Sequence, residues 1–289
     1  MTSIALDEPP TVLRPDSPGW PRELNELARV PARLFVAGSL PPAPRVAIVG
    51  TRRADAAAEA FARRMAAELA AAGVCVVSGG AAGIDAAAHR GALGAGNTVA
   101  VLAGGVREAF PSGHAGLFAK IARSGALVSE HDDGCNQAYR FLERNRIVAA
   151  LAQATVVVQA PARSGAASTA KHCRALGRTL LVVPAAPWDP RGAGNLRLMA
   201  KARVCRGAGD VLAALGRAPG RRPPPRSPPP LAGELGRVAE LLSAAPRHVD
   251  ELCLQAGLDA ATVQRLLLEL ALLGRADERH GRWMARHRG

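Results

Sequence analysis

Residues 45–90 read RVAIVGTRRADAAAEAFARRMAAELAAAGVCVVSGGAAGIDAAAHR, and they repeat one pattern twice: an apolar run, a glycine turn, a helix. Arg45–Val49 is a short apolar run that stops at Gly50. Ala54–Ala72 then carries helix-forming residues with Phe61, Met65 and Leu69 on one face. The second unit runs from Val74 to Ser78, breaks at Gly79-Gly80-Ala81-Ala82-Gly83 and resumes as a helix over Ile84–Ala95. Two parallel strands joined by a helix form a βαβ unit with a right-handed crossover. Both turns fall at strand carboxyl ends and each opens a helix, where backbone N–H groups lack helical partners and the dipole is positive. Gly50-Thr51-Arg52-Arg53 adds a hydroxyl and two guanidinium forks that match phosphate oxygens. In the second turn Ser78 and the glycines allow close approach, and Asp85 sits where a first-turn acid would. The alternative for each turn is that the glycines only make it tight and the arginines are solvated. Neither turn is a complete Walker A or G-x-G-x-x-G, so no mononucleotide or dinucleotide cofactor is signalled.

The 289 residues suffice for one sizeable core and a small second domain, and 48% hydrophobic content marks a folded chain. No stretch resembles a signal peptide, and no apolar run approaches the roughly 18 residues of a membrane span. The expectation is a cytoplasmic protein without membrane contact. Five cysteines, widely spaced and without a C-x-x-C pair, favour neither a disulfide framework nor a zinc site, and most read as small buried residues. His89, His114, His131 and His172 lie on different elements without ligand spacing, so no metal site is expected. The net charge of +13 is unevenly placed: residues 45–216 hold 21 Lys and Arg against 11 acids, and residues 217–230 hold four against none. A basic α/β surface points to a polyanion, nucleic acid first. Only three of the 37 cations are lysine, so part of the excess reflects a general composition bias.

Outward from the opening stretch, apolar runs recur at Thr98–Leu102, Ala126–Ser129, Thr155–Gln159 and Thr179–Val183 with helical intervals between them. The fold class is therefore α/β: an extended Rossmann-like, doubly wound, mostly parallel sheet whose ligand site lies outside the strand carboxyl ends. Residues 1–44 read as a proline-rich lead-in, with a short helix near Arg22–Ala28 and Arg33–Gly38 as an edge strand. The polar clusters after successive strands converge on one edge: Ala103-Gly104-Gly105 with Phe110-Pro111, the loop from His131 to Gln137, and Arg163–Thr169 opening a helix that carries Lys171. Tyr139–Arg146 enters a further helix ending near Ala152. Arg144 and Arg146 do not share a helical face, so at least one points to the sheet edge while Asn145 braces a loop. Phe141 beside them is either core or an aromatic face for an unpaired base, a stack worth about 1–3 kcal/mol.

These motifs, in this order and spacing, resemble the DprA/Smf family of natural transformation: V-G-T-R at Val49–Arg52, S-G-G-A-A-G-I-D at Ser78–Asp85, A-A-H-R-G-A-L at Ala87–Leu93, F-x-x-R-N-R-I-V-A at Phe141–Ala149, R-S-G-x-x-S-T-A at Arg163–Ala170 and V-P-x-x-P-W-D-P-R at Val183–Arg191. The resemblance covers about residues 20–215. It implies a non-catalytic extended Rossmann domain that binds single-stranded DNA in a basic pocket, acts as a homodimer and hands the strand to RecA. By position the resemblance implies Arg52, Gly80, Gly83, Arg144, Arg146, Ser164, Gly165 and Lys171 as nucleic-acid-binding residues, and the reading of the first turn and of the Tyr139–Arg146 helix adds Arg53, Phe141 and Asn145 as candidates. The chain departs from the usual pattern with Ala82 for arginine, Leu142 for proline, Gln159 for glutamate, Ala185 for glycine and Gly194-Asn195-Leu196 for G-T-N. These departures imply weaker or altered DNA affinity, and most of the amino-terminal helical domain of longer relatives is missing.

Residues 217–230, RAPGRRPPPRSPPP, are expected to form an extended basic linker. Over 231–289, Glu234–Ser243, Val249–Ala256 and Ala260–Leu273 read as three helices followed by a hairpin across 274–283, the outline of a winged helix. A DNA-reading helix is normally basic, yet Ala260–Leu273 offers only Arg265 against Glu269, which favours a protein partner or weak DNA contact. The enzyme alternative is a nucleotide-processing protein similar to the lonely-guy phosphoribohydrolases, with Glu130 at a strand end as its acid. No P-G-G-x-G-T motif or pair of acids supports it. A third reading is a regulator that binds duplex DNA through the winged helix alone.

Overall fold

The computed structural model describes residues 2–42, 44–133, 137–217, 231–242, 245–279 and 281–285, in two compact units, Met1–Gly220 and Arg221–Gly289. The expected linker lies outside the described residues apart from Arg217, and the tip of the His131–Gln137 loop, with Cys135, lies outside them too.

In the first unit the chain opens with β1 (Thr2–Ser3), β2 (Thr11–Leu13), a 3-10 turn (Arg22–Glu26) and β3 (Leu34–Gly38). The repeating section follows as β4 (Arg45–Val49), α1 (Ala56–Ala71), β5 (Cys75–Ser78), α2 (Ile84–Leu93), β6 (Thr98–Leu102), β7 (Glu108–Ala109), α3 (Ala115–Ser124), β8 (Ala126–Ser129), α4 (Ala138–Leu151), β9 (Ala154–Val157), α5 (Gly165–Ala175), β10 (Thr179–Val182), α6 (Ala193–Met199), β11 (Arg203–Val204) and α7 (Ala208–Ala214). Nine strands form one sheet in the order β11-β10-β9-β4-β5-β6-β8-β3-β2. From β11 to β8 every pairing is parallel, while β3 runs antiparallel to β8 and to β2. Short β1 pairs with β7, antiparallel.

The near-continuous apolar runs follow from burial on both faces. Along β4, Ala47 and Val49 join a core with Val148, Leu151, Ala166 and Ala170 of α4 and α5, and alternate Val46 and Ile48 join another with Met65, Leu69 and Ala88 of α1 and α2. Asp55 starts α1 by accepting the Ala58 N–H at 2.8 Å, which places the helix two residues later than the apolar pattern alone suggests. The strand expected at Arg33–Gly38 is not at the edge, because the three-residue β2 pairs outside it with Thr11 opposite Val36. Trp20, Leu24 and Leu27 of the lead-in are buried in the same core as α4. The fifth run ends earlier than its apolar content, at Val157. Beyond it Gln159 accepts the Thr51 N–H through its carbonyl at 2.7 Å, tying the ends of β9 and β4 together.

The second unit contains α8 (Gly233–Leu241), β12 (Arg247–His248), α9 (Val249–Ala256), α10 (Ala260–Leu272), β13 (Ala276–Arg279) and β14 (Arg282–Ala285), with an antiparallel sheet ordered β12-β14-β13. Val238, Leu252, Val263, Leu266, Leu267 and Leu270 make its core, each such side chain contributing about 1.5–3 kcal/mol on burial. Asp259 caps α10 by accepting from Thr262 N at 3.0 Å. The exposed face of α10 carries Gln264, Arg265, Leu268, Glu269 and Leu272, a charge-balanced surface.

Candidate nucleic-acid interface

From β4 the chain crosses to β5 and β6 on one side, whereas β9, β10 and β11 lie on the other. The crossovers therefore diverge between β4 and β9, and a crevice opens at their carboxyl ends. A cleft of about 630 Å³ occupies that position, with Gly50, Thr51 and Arg52 after β4, Gly79 and Ala81 after β5, and Pro161, Arg163, Ser164 and Gly165 after β9 around it. Phe110, Phe141, Leu142 and Val148 give it an apolar wall.

The mouth is built by three side chains. The exposed Arg52 guanidinium lies over the Phe141 ring at 4.9 Å, and Phe141 tilts against Phe110 with centroids 5.3 Å apart. A cation on a ring face is worth about 0.5–1 kcal/mol at such a site and holds the guanidinium with its edge free for a phosphate. Phe141 is half-buried, so it is a wall with an accessible face. Thr51 turns its hydroxyl to its own loop, accepting from Arg53 N at 3.2 Å. Across the cleft Ser164 caps α5 by accepting from Ala166 N at 3.2 Å, and Asn145 braces the same turn by donating Nδ2–H to Gly165 O at 3.2 Å.

The floor is ionic and buried. Arg144 donates through Nη1 to the carbonyls of Gly79 and Val101 and through Nε to Asn145 Oδ1 at 3.2 Å. Asp85, in the first turn of α2, accepts from Gly79 N at 3.1 Å and Ala81 N at 3.4 Å. Burial pushes the Asp85 carboxyl up against the opposing pull of Arg144 and of the loop hydrogen bonds. Burial likewise brings the Arg144 guanidinium down to about 10, with Asp85 acting to raise it and Arg52 to lower it further. The two charges stabilise each other beneath the loop that surrounds them. His114 Nδ1–H donates to Gly80 O at 3.0 Å and fixes the same loop from behind.

Of the eleven candidates, Arg52, Phe141, Arg144, Asn145, Ser164 and Gly165 line the cleft, and Arg53, Gly80, Gly83, Arg146 and Lys171 do not. Arg53 and Lys171 are exposed outside it. Gly80 is buried at φ +72°, where an added Cβ would stand 2.7 Å from Phe118 Cε1. Gly83, at φ +73°, begins α2 hard against the backbone of Thr51 and Arg52. At both positions the positive φ and the close neighbours fix the shape of the turn. Arg146 is also turned inward: its Nη2 donates to both Glu130 oxygens, at 2.6 and 2.7 Å. Of the two arginines expected to divide between faces, Arg144 does point to the sheet edge, where it lines the cleft and bonds the strand-end carbonyls of Gly79 and Val101, although its guanidinium is buried, while Arg146 is held by Glu130. That pairing also commits Glu130, the acid of the enzyme alternative, and leaves Asp85 as the one carboxylate among the described cleft residues. Phe110 and Arg163 belong to the site without having been singled out. The signals were a phenylalanine after a glycine turn in a chain with five of them, and a cation opening the Ser164 cap.

Comparison with known proteins fits this geometry. Residues 11–216 match the family model for DNA recombination-mediator protein A, and residues 222–282 match the DprA winged helix domain. A DNA processing protein DprA of Mycobacterium tuberculosis is 43% identical over 260 residues, covering 83% of this chain and 64% of the relative, so the chain spans just under two thirds of that protein's length. The crystal structure of DprA from Streptococcus pneumoniae superposes with a TM-score of 0.67 at 30% identity, covering 70% of this chain and 73% of that one. DNA processing protein A of Helicobacter pylori, described for its single-stranded DNA binding mode, gives 0.65 at 26% identity, covering 74% and 98%. With its larger part and its winged helix both matched, the chain belongs to the DprA/Smf family of DNA recombination mediators.

Proposed function

We propose that the first unit grips single-stranded DNA at the carboxyl edge of its sheet, without making or breaking a bond, and that the protein protects incoming strands and delivers them to RecA in the cytoplasm. A second copy of the chain supplies a second cleft for the same strand, and the linker and winged helix form a separate module for a partner. The observation that carries this reading is the Arg52 guanidinium stacked on Phe141 beside Phe110 at the mouth of the cleft, a cation and aromatic faces side by side. Supporting it, Arg52, Arg53 and Arg163 are exposed and have no carboxylate partner among the described residues. The Helicobacter pylori relative is described for binding this ligand. Among the described residues the cleft offers no second acid to work with Asp85 as an acid–base pair. The test is anisotropy of labelled oligo-dT between about 50 and 200 mM salt. Binding is expected to fall steeply with salt, to be indifferent to base sequence, and to weaken severalfold in Arg52→Glu with unchanged melting temperature. Equal affinity of Arg52→Glu and the parent would remove the cleft as the site. Stimulation of RecA-driven strand pairing by the protein tests the delivery step.

A further inference from the structure

The loop between β10 and α6 carries the most exposed large hydrophobic side chain among the described residues of the first unit, Trp188, at 84% of its full accessibility. The other described tryptophans, Trp20 and Trp283, are buried and part-buried. A bare indole in water is uncommon, and this one is held in place by its surroundings. Trp188 sits in a tight turn closed by Asp189 N donating to Ala186 O at 3.0 Å, within a loop stiffened by Pro184, Pro187 and Pro190. Asp189 Oδ1 accepts from both N and Nε of Arg191 at 3.0 Å, and Arg191 Nη1 reaches Asp55 Oδ2 at 3.4 Å. Further along, Gly194 N donates to Ala160 O at 2.8 Å. Asn195 clamps the strand ends, accepting from Ala160 N at 2.8 Å and donating to Val183 O at 2.9 Å.

These bonds place the loop against the cleft. Asp55 is three residues beyond Arg52, and Ala160 adjoins Pro161 of the cleft wall. Resting on the reading of the cleft given above, we propose that Trp188 is a second stacking platform for single-stranded DNA, which takes a base of the strand after it leaves the Phe141 site. The surrounding charge selects this occupant: Arg52 and Arg163, which line the cleft, and Arg53 and Arg197 outside it are all exposed and lack a carboxylate partner among the described residues. A polyanion with π-faces satisfies both the cations and the ring, with no sequence preference. A protein partner would need a contiguous apolar core, and no other large hydrophobic residue of residues 183–192 is exposed. The loop is already fixed by its hydrogen bonds, so little ordering cost opposes the stack.

The test uses the full chain, a short oligo-dT of about four nucleotides and a longer one of about 16. Trp188→Ala is expected to weaken the long oligonucleotide about 5- to 150-fold, the range of one base stack, and to leave the short one unchanged. Trp188→Phe should retain most of the affinity. Tryptophan emission of the parent should be quenched by the long oligonucleotide, and that quench should vanish in Trp188→Phe. Equal affinity of Trp188→Ala and the parent for the long oligonucleotide, while Arg52→Glu weakens both lengths, overturns the platform and leaves the cleft standing. If Trp188→Ala instead alters the subunit number in solution with oligonucleotide affinity intact, the ring is a protein contact and the proposal is equally overturned. No binding of either length by the parent overturns the cleft reading and the platform with it.

Discussion

Replacing Arg144 by methionine separates a structural cation from a ligand-binding one. The side chain is buried and bonded to Gly79 O, Val101 O and Asn145 Oδ1, with the buried Asp85 carboxylate close enough to raise its pKa. Methionine fills similar volume but abandons two carbonyls, at about 1–3 kcal/mol each, and strips Asp85 of its opposite charge. Removing one partner of a buried pair costs about 3–5 kcal/mol, and that figure already contains much of the bare-carbonyl cost. For a unit of 220 residues, at about 2–4 °C per kcal/mol, the melting temperature should fall by about 6–20 °C. The pH dependence has a definite sign. Asp85 has a folded pKa above its ordinary 3.8, so its ionisation lowers stability as pH rises from that value through the folded one. Without Arg144 the folded value climbs further, so the deficit of Arg144→Met should widen as pH rises across that window and should shrink in acid. Adding Asp85→Asn should recover part of the loss at neutral pH. Thermal unfolding by circular dichroism, at pH values on both sides of the window, measures all of this. A variant melting within about 1 °C of the parent at neutral pH would refute the assignment of Arg144 as scaffold.

Three other substitutions probe the same edge. Gln159→Glu should cost about 2 kcal/mol at neutral pH, because Gln159 Nε2 donates to Asp55 Oδ2 at 2.6 Å and a second carboxylate there meets like charge. The loss should shrink in mild acid as one carboxyl takes a proton, which denaturant midpoints at the two pH values record. Gly80→Ala should destabilise by about 2–5 kcal/mol, since φ is +72° and the new methyl stands 2.7 Å from Phe118 Cε1, and thermal melts check it. Ala82→Arg, which restores the side chain usual in the family, should steepen the slope of log affinity against log salt for oligo-dT by about 0.7, one added phosphate contact.

The fold was legible because its information is local. Each parallel strand of the large sheet from β4 to β10 is a run of apolar residues closed by a glycine, a proline or a polar turn, and helices have faces such as Met65 and Leu69. The short β2 was not legible, because three residues between prolines carry no periodic signal and exist as a strand only through pairing with β3. The site was legible to the level of its loops, since glycine turns after β4 and β5 and the Ser164 cap announce where the strand ends lie. Which arginines stay exposed was not. Arg45 donates to Leu151 O and Pro41 O at 2.8 Å, and Arg178 reaches Ala149 O at 2.9 Å and Ala152 O at 2.7 Å. Arg144 and Arg146 close on Val101 and Glu130. Most of these partners lie many residues away in the sequence, so a count of positive charge assigns all four to the surface although the fold turns them inward.

That division of arginines sets how a strand would lie in the proposed grip. The floor carries Arg144 and Asp85 together, close to neutral as a pair, and the walls are Phe110, Phe141, Leu142, Val148 and Pro161. Arg52 and Arg163, which have no carboxylate partner among the described residues, stand exposed at the rim of the cleft, with Arg53 exposed beside it. A phosphate driven to the floor would lose water and meet Asp85, whereas at the rim it meets guanidinium groups and stays solvated. Bases have the opposite preference, gaining from ring faces and from the loss of apolar surface to water. In the proposed grip the backbone would therefore run along the rim with its bases turned into the cleft, an arrangement open to single strands and closed to a duplex, whose bases are already stacked and paired.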